Sequence, residues 1–230
     1  MTNISTNRVA IVIGATGLIG GQVINALLND DSYQTVRILV RHTTNMLHPK
    51  LEEHLVNFDA LSAYDDLIKG DDVFCCLGTT LRKAKSTKNF KLVDYEYPLQ
   101  VAKMAAENGV KNYLIVTAVG ADPNSLVFYS RVKGEVEESL KTYHFHGIHI
   151  FRPSLLLGDR KEARIGENLG KLFVKAIDPL MMGPLEKYRG IEAKDVATAM
   201  VDAAKNDPQG TFIYESDVIH KMVGKIKQQL

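Results

Sequence analysis

The chain has 230 residues, 45% of them hydrophobic, enough for one large domain with a sizeable core and too many for a disordered chain. Its 28 Lys and Arg against 27 Asp and Glu give no charge-based reason to expect a nucleic acid or membrane partner. The opening "MTNISTNR" lacks the apolar stretch of a secretory signal, and no apolar run approaches the roughly 20 residues of a membrane-spanning helix, so a soluble cytoplasmic protein is expected.

In chain order, short β-branched runs alternate with helical patterns. "RVAIVIG" (8–14) reads as a strand and "LIGGQVINALLND" as a helix, with Ile19, Val23, Ala26 and Leu27 at helical spacing. "TVRILVR" (35–41) and "HLVNFD" (54–59) read as the second and third strands. The short helix "LSAYDDLIKG" leads to the fourth strand, "DVFCCLG" (72–78). Its adjacent Cys75 and Cys76 point to opposite faces, which suits buried thiols in a reducing compartment better than a disulfide.

A long helical stretch, 87–109, ends at Gly109, a plausible C-cap. Then come a strand in "KNYLIVTAVG", a helix in "SLVFYSRVKGEVEESLKTY" and a sixth strand, "GIHIFRPS". The pattern loosens over 158–190. It closes with the helix "AKDVATAMVDAAKN", the strand "GTFIYES" and a last helix. Such alternation predicts a mainly parallel sheet of about seven strands covered on both faces by helices. An eight-fold barrel would take about 250 residues and eight strand–helix units.

The first turn sharpens the fold. "VIGATGLIGG" sets Gly14, Gly17 and Gly20 three apart, directly after a strand and opening a helix. Glycines there permit a tight turn and a close backbone approach to pyrophosphate, while the helix N-terminus supplies donors and positive potential. The pattern predicts an α/β, Rossmann-type doubly wound domain spanning 1–230. Residues 155–192 would be a small substrate-side insertion towards the C-terminus. The second strand ends at Arg41 with no acidic residue. Arginine there accommodates the 2′-phosphate of NADP, so NADP(H) is preferred over NAD(H).

In "YSRVK", Tyr129 and Lys133 lie four apart and share a helix face. Tyr129 stands about 60° from Val132, the first residue of an apolar stripe with Val136 and Leu140, which places it beside the buried face. A free tyrosine has a pKa near about 10, and a neighbouring ammonium favours the phenolate. Such a pair suits proton transfer to or from a carbonyl or alcohol.

"GATGLIGG", "LVR", "CCLGTT", "VDYEYPLQVA", "VTAVGAD", "YSRVKGEVE", "FRPSLLLGDR" and "IEAKDVA" occur in this order. On them the chain resembles an atypical short-chain dehydrogenase/reductase, more narrowly the oxidoreductases related to the HIV Tat-interactive protein and more distantly the NmrA-like group. The resemblance implies a nucleotide along the carboxyl edge of the strands. Gly14, Thr16, Gly17, Leu18 and Ile19 would line the diphosphate, Arg41 would meet the adenosine phosphate, and Phe58 and Asp59 would lie near adenine. Leu77, Gly78 and Thr79 would pass the ribose and nicotinamide, with Pro153 and Ser154 closing over the amide. Tyr129 would be the acid/base, and Lys133 would bond the ribose. Thr117 would take the place of the usual serine and polarise the substrate oxygen, although its neighbour Ala118 departs from the serine often found there.

Some features stay open. The cations of "LRKAKSTK" (81–88) suit a cofactor phosphate, an acidic substrate or a solvated lid. Arg160 and Arg164 suit either the substrate or surface pairing with Glu162 and Glu167. "MMGP" (181–184) suits a pocket wall or a partner surface. His144, His146 and His149 lack a Cys or close carboxylate to complete a metal set, so no metal is expected. Two rivals to a reductase of a small carbonyl or alcohol are an NADP(H)-binding sensor with little turnover and a nucleotide-sugar epimerase. For the epimerase, the region after the sixth strand is short. Monomer and dimer both stay open.

Overall fold

The computed structural model describes residues 7–157 and 183–229; the expectations for Arg160, Glu162, Arg164, Glu167, Met181 and Met182 lie outside the described residues. The main sheet contains β1 (Arg8–Ile13), β2 (Tyr33–Val40), β3 (Leu51–Leu55), β4 (Asp72–Cys75), β5 (Asn112–Val116), β6 (Gly147–Arg152) and β9 (Gly210–Glu215). They stand in the order 3-2-1-4-5-6-9, and every neighbouring pair is parallel. Two short strands, β7 (Leu156–Leu157) and β8 (Ile191–Glu192), pair separately.

The helices are α1 (Leu18–Leu28), α2 (Leu81–Ala84), α3 (Thr87–Lys91), α4 (Tyr97–Glu107), α5 (Phe128–Leu140), α6 (Ala193–Asn206) and α7 (Ser216–Gln229). Successive strand residues face opposite ways, so β1 feeds two cores. Ala10 and Val12 pack with Val23, Leu27, Val196, Met200 and Ile219 of α1, α6 and α7. Ile11 and Ile13 pack with Val101 and Ala105 of α4 and Val136 and Leu140 of α5. Burial on both faces is why the central strands read as continuous apolar runs rather than alternating ones.

From β1 the chain first builds outward through β2 and β3, then crosses back to β4. The order reverses between β1 and β4, and the turns leaving both strands meet there. Open parallel sheets bind ligands at such a reversal, beyond the strands' carboxyl ends.

The third strand and the long helix differ from their predicted form. The third strand is Leu51–Leu55, not 54–59, and residues Phe58–Leu67 form a 3-10 turn. This edge strand buries little, so its apolar signal is weak. The Asn57 side chain accepts from Asp59 N at 3.0 Å and turns the chain away. The long helix keeps its predicted end, with Gly109 at φ +74°, but contains a π-helical turn, Leu92–Glu96, where Tyr97 N donates to Leu92 O. Pro98 explains it: proline has no N–H for the carbonyl of Asp94 and its ring crowds that carbonyl, so the ladder widens by one residue.

Candidate active site

The turn after β1 holds Gly14 at φ +77°, and a Cβ there would lie 2.4 Å from the carbonyl carbon and oxygen of Cys76. Only glycine fits where these two turns touch. Gly17 N donates to Gly14 O at 2.9 Å. Gly17 then begins α1 with no side-chain cap, leaving the first helical N–H groups without a side-chain acceptor. Thr16 is exposed and Leu18 half-buried at the rim, while the side chain of Ile19 is in the core and only its backbone belongs to the turn. A cradle that a Cβ would fill, facing an uncapped helix start, fits a diphosphate.

Arg41 follows β2, exposed, and pairs with no carboxylate among the described residues. Its field reaches Tyr97, whose phenol is nonetheless pushed up to about 12 by burial and by the hydrogen bond it donates to Asp59. The ring of Phe58 is buried in the core, 5.5 Å from that of Tyr97. Asp59 is exposed beside it.

The Tyr–Lys pair lies on α5. Tyr129 is half-buried, with its ring centroid 5.7 Å from that of Phe90. Lys133 is buried, and its Nζ stands 2.8 Å from Asp94 Oδ1. Asp94 projects from the π-helical turn and also accepts from Thr79 N at 2.9 Å. Gly78 lies alongside, where a Cβ would be 3.6 Å from Asp94 Oδ1 and 3.9 Å from Lys133 Nζ. Burial works against the ammonium, but the charge of Asp94, followed by Tyr129, outweighs it and holds Lys133 above the ordinary lysine range. Leu77, Gly78, Thr79, Tyr129 and Lys133 are thus brought to one edge.

Thr117 is not turned towards them. Its hydroxyl donates to Glu137 Oε1 at 2.6 Å, and Glu137 is in turn gripped by Arg152, whose Nε lies 3.0 Å from the same oxygen. Strand alternation from Tyr113 and Ile115 carries Thr117 to the α5 face, under the helix rather than into the cleft. The expected polarising role of Thr117 is therefore corrected: its one proton is committed to a buried carboxylate. Pro153 is buried, and the Ser154 hydroxyl donates to Arg189 O.

Sequence reading missed Asp94, Glu137 and Gly134. A Cβ at Gly134 would lie 2.2 Å from Pro123 N, so the turn after β5 presses directly on α5. Asp94 carried one legible signal, an acid after the apolar Leu92 and Val93 with Pro98 four residues on. The histidines sit elsewhere, His146 against Asp207 O and His149 against Tyr214 at the opposite edge of the sheet. Burial pushes both thiols, Cys75 and Cys76, up.

A family model described as NAD(P)H-binding matches residues 14–207. The chain belongs to the NAD(P)H-binding family. Within it, the chain is 34% identical over 171 residues to Protein HTATIP2 of Rattus norvegicus, covering 73% of this chain and 70% of the relative. It is 31% identical over 206 residues to Protein FMP52, mitochondrial, of Candida albicans, covering 86% and 89%. The resemblance to the atypical short-chain dehydrogenase/reductases that the motifs carried stands with these matches. Among solved structures, a UDP-N-acetylglucosamine 4-epimerase from Methanobrevibacter ruminantium, in complex with UDP-N-acetylmuramic acid, shares the fold. Its TM-score is 0.68 at 18% identity, covering 97% of this chain and 82% of that one. This family member therefore binds a nicotinamide nucleotide and is of oxidoreductase type. The cytoplasmic placement does not stand, because curated fungal relatives are named mitochondrial. That placement rested on an opening without an apolar stretch and on apolar runs too short to cross a membrane, neither of which separates cytosol from mitochondrion.

Proposed function

We propose that the protein is an NADP(H)-dependent oxidoreductase that transfers hydride to or from a small carbonyl or alcohol. One observation carries this reading: the buried Lys133 ammonium, fixed 2.8 Å from Asp94 one helical turn from Tyr129, at the same strand edge as the Gly14 cradle. Bound nicotinamide would supply or accept the hydride. The backbones of Gly14, Thr16, Gly17, Leu18 and Ile19 would hold its diphosphate and Arg41 its 2′-phosphate, with Asp59 near adenine. Leu77, Gly78 and Thr79 would border the ribose, and Pro153 and Ser154 the nicotinamide amide. Tyr129 is the acid/base and Lys133 orients the ribose. Thr117 acts only by tying β5 to α5 through Glu137.

Residues 155–192 are read as a substrate-side insertion. Its two ends meet, since β7 pairs with β8 and Ile191 N donates to Leu155 O at 3.0 Å.

Tyr129→Phe tests the assignment. NADPH oxidation should fall about 10²–10⁴-fold, the usual worth of a positioned acid, while NADPH affinity measured by fluorescence stays nearly unchanged. Retained turnover would overturn the role of Tyr129. A second reading, a nucleotide-binding sensor, is favoured by the Thr117 hydroxyl being held by Glu137, with Ala118 beside it. It replaces the first if wild type binds NADPH but oxidises none of it across a broad carbonyl panel.

A further inference from the structure

The segment that follows β4 bears on the substrate. Residues 79–93, "TTLRKAKSTKNFKLV", hold Arg82, Lys83, Lys85, Lys88 and Lys91 and no acid, in a chain whose total charges nearly cancel. The segment is built rather than slack. Thr80 caps α2 by accepting from Lys83 N at 3.2 Å, and Ser86 caps α3 by accepting from Asn89 N at 3.1 Å. Lys85 turns the chain between them at φ +62°, and Asn89 Nδ2 donates across the turn to Ala84 O at 3.0 Å. Ala84 and Phe90 anchor it in a small core with Val132 of α5.

Both ends of this bracket rest on the site. Thr79 N bonds Asp94, the partner of Lys133, at 2.9 Å. Phe90 packs on Tyr129 and on Phe128, each at 5.7 Å between ring centroids. The segment that carries the cations is thus tied at both ends to the Tyr–Lys pair. Lys91 is answered by Glu135 at 3.1 Å. Arg82, Lys85 and Lys88 are exposed and pair with no carboxylate among the described residues. Like charges carried on one short segment repel, and an anion arriving among them relieves that repulsion and gains charge-assisted hydrogen bonds. Such a rim also draws anions in from solution.

We infer that this bracket is an anion subsite and that the carbonyl substrate carries a carboxylate or phosphate, which Arg82, Lys85 and Lys88 receive while the carbonyl lies at Tyr129. The inference rests on the reductase reading, and its test separates the two. The kcat/KM for 4-carboxybenzaldehyde is compared with that for its methyl ester, and succinic semialdehyde with its methyl ester, all with NADPH. Wild type should prefer the charged member of at least one pair by about tenfold, a difference of about 1.4 kcal/mol, and lose the preference in high salt. In the variant Arg82→Gln/Lys85→Gln/Lys88→Gln the preference should fall to near unity.

An equal preference in wild type and variant overturns the subsite. So does an unchanged preference with NADPH bound about tenfold more weakly, since the anion would then be a cofactor phosphate. If wild type reduces neither aldehyde, the reductase reading fails on its own. Calorimetry of 4-carboxybenzaldehyde and succinic semialdehyde into NADP-loaded protein then decides the subsite. Binding seen in wild type and lost in the variant keeps it; binding absent from wild type, or equal in both, overturns it.

Discussion

Asp94 and Lys133 face each other with side-chain exposures of 0% and 5%, out of reach of water that could solvate either charge alone. Removing one member of such a pair strands the other, which typically costs about 3–5 kcal/mol. Asp94→Asn should therefore lower unfolding free energy in urea by an amount of that order, and Asp94→Asn/Lys133→Met should recover most of it. A double variant no more stable than the single one would show that the pair does not carry the strain. Because Lys133 is raised above its unfolded value of 10.5, the pair's contribution is complete below that pH. It is lost as pH rises through the higher folded value. Arg41 is the opposite kind of residue, exposed and without a carboxylate. Arg41→Ala should weaken NADPH by about 10–100-fold, the worth of a charged hydrogen bond, and NADH far less. Equal losses in a fluorescence titration would remove it from the phosphate.

At the scale of elements, the site depends on how α5 is pressed and how α4 is interrupted. The π-helical turn forced by Pro98 carries Asp94, and the turn after β5 lies directly on Gly134. Gly134→Ala places a methyl 2.2 Å from Pro123 N, where only backbone can give way. Overpacking of this kind costs about 1–3 kcal/mol. A thermal melt should show the loss, and because Tyr129 and Lys133 share the displaced helix, turnover should fall further than stability accounts for. The elements themselves were legible in the sequence wherever both faces of a strand are buried. They blurred at β3, an edge strand, and inside the long helix, where a proline changed the hydrogen-bond period without ending the helix.

Across the whole molecule, the two edges of the sheet do different work. The carboxyl edge gathers the glycine turn, the Tyr–Lys pair and the cationic bracket. The amino edge is closed by a polar buckle: Asp72, fully buried, accepts from Arg8, Tyr33 and Asn112 and ties four strands together. Nearby, His149 is buried and its ring is pushed down to about 4, by loss of solvent first. The unfolded chain takes up a proton near the ordinary value of 6.5 and the folded one does not. Stability is therefore intact above pH 6.5 and declines as pH falls towards 4, by about 1.4 kcal/mol per unit of difference. Unfolding free energies measured across that window should slope downward in wild type and flatten in His149→Leu. An identical slope would place the protons elsewhere.

The sequence alone determined the doubly wound sheet, because buried parallel strands must be apolar on both faces and a close turn must be glycine. It also set Gly14 at a strand end and Tyr129 and Lys133 on one helix face, since strand ends and helical spacing are local properties. What only the tertiary structure decided is which partner each polar side chain takes. Thr117 stands where a catalytic hydroxyl is expected, yet strand alternation carries it beneath α5, where Glu137 and Arg152 wait. Lys133 owes its charge to Asp94, 39 positions earlier. Hydrogen bonds and ion pairs act over a few ångströms of space, and separation along the chain does not report that distance.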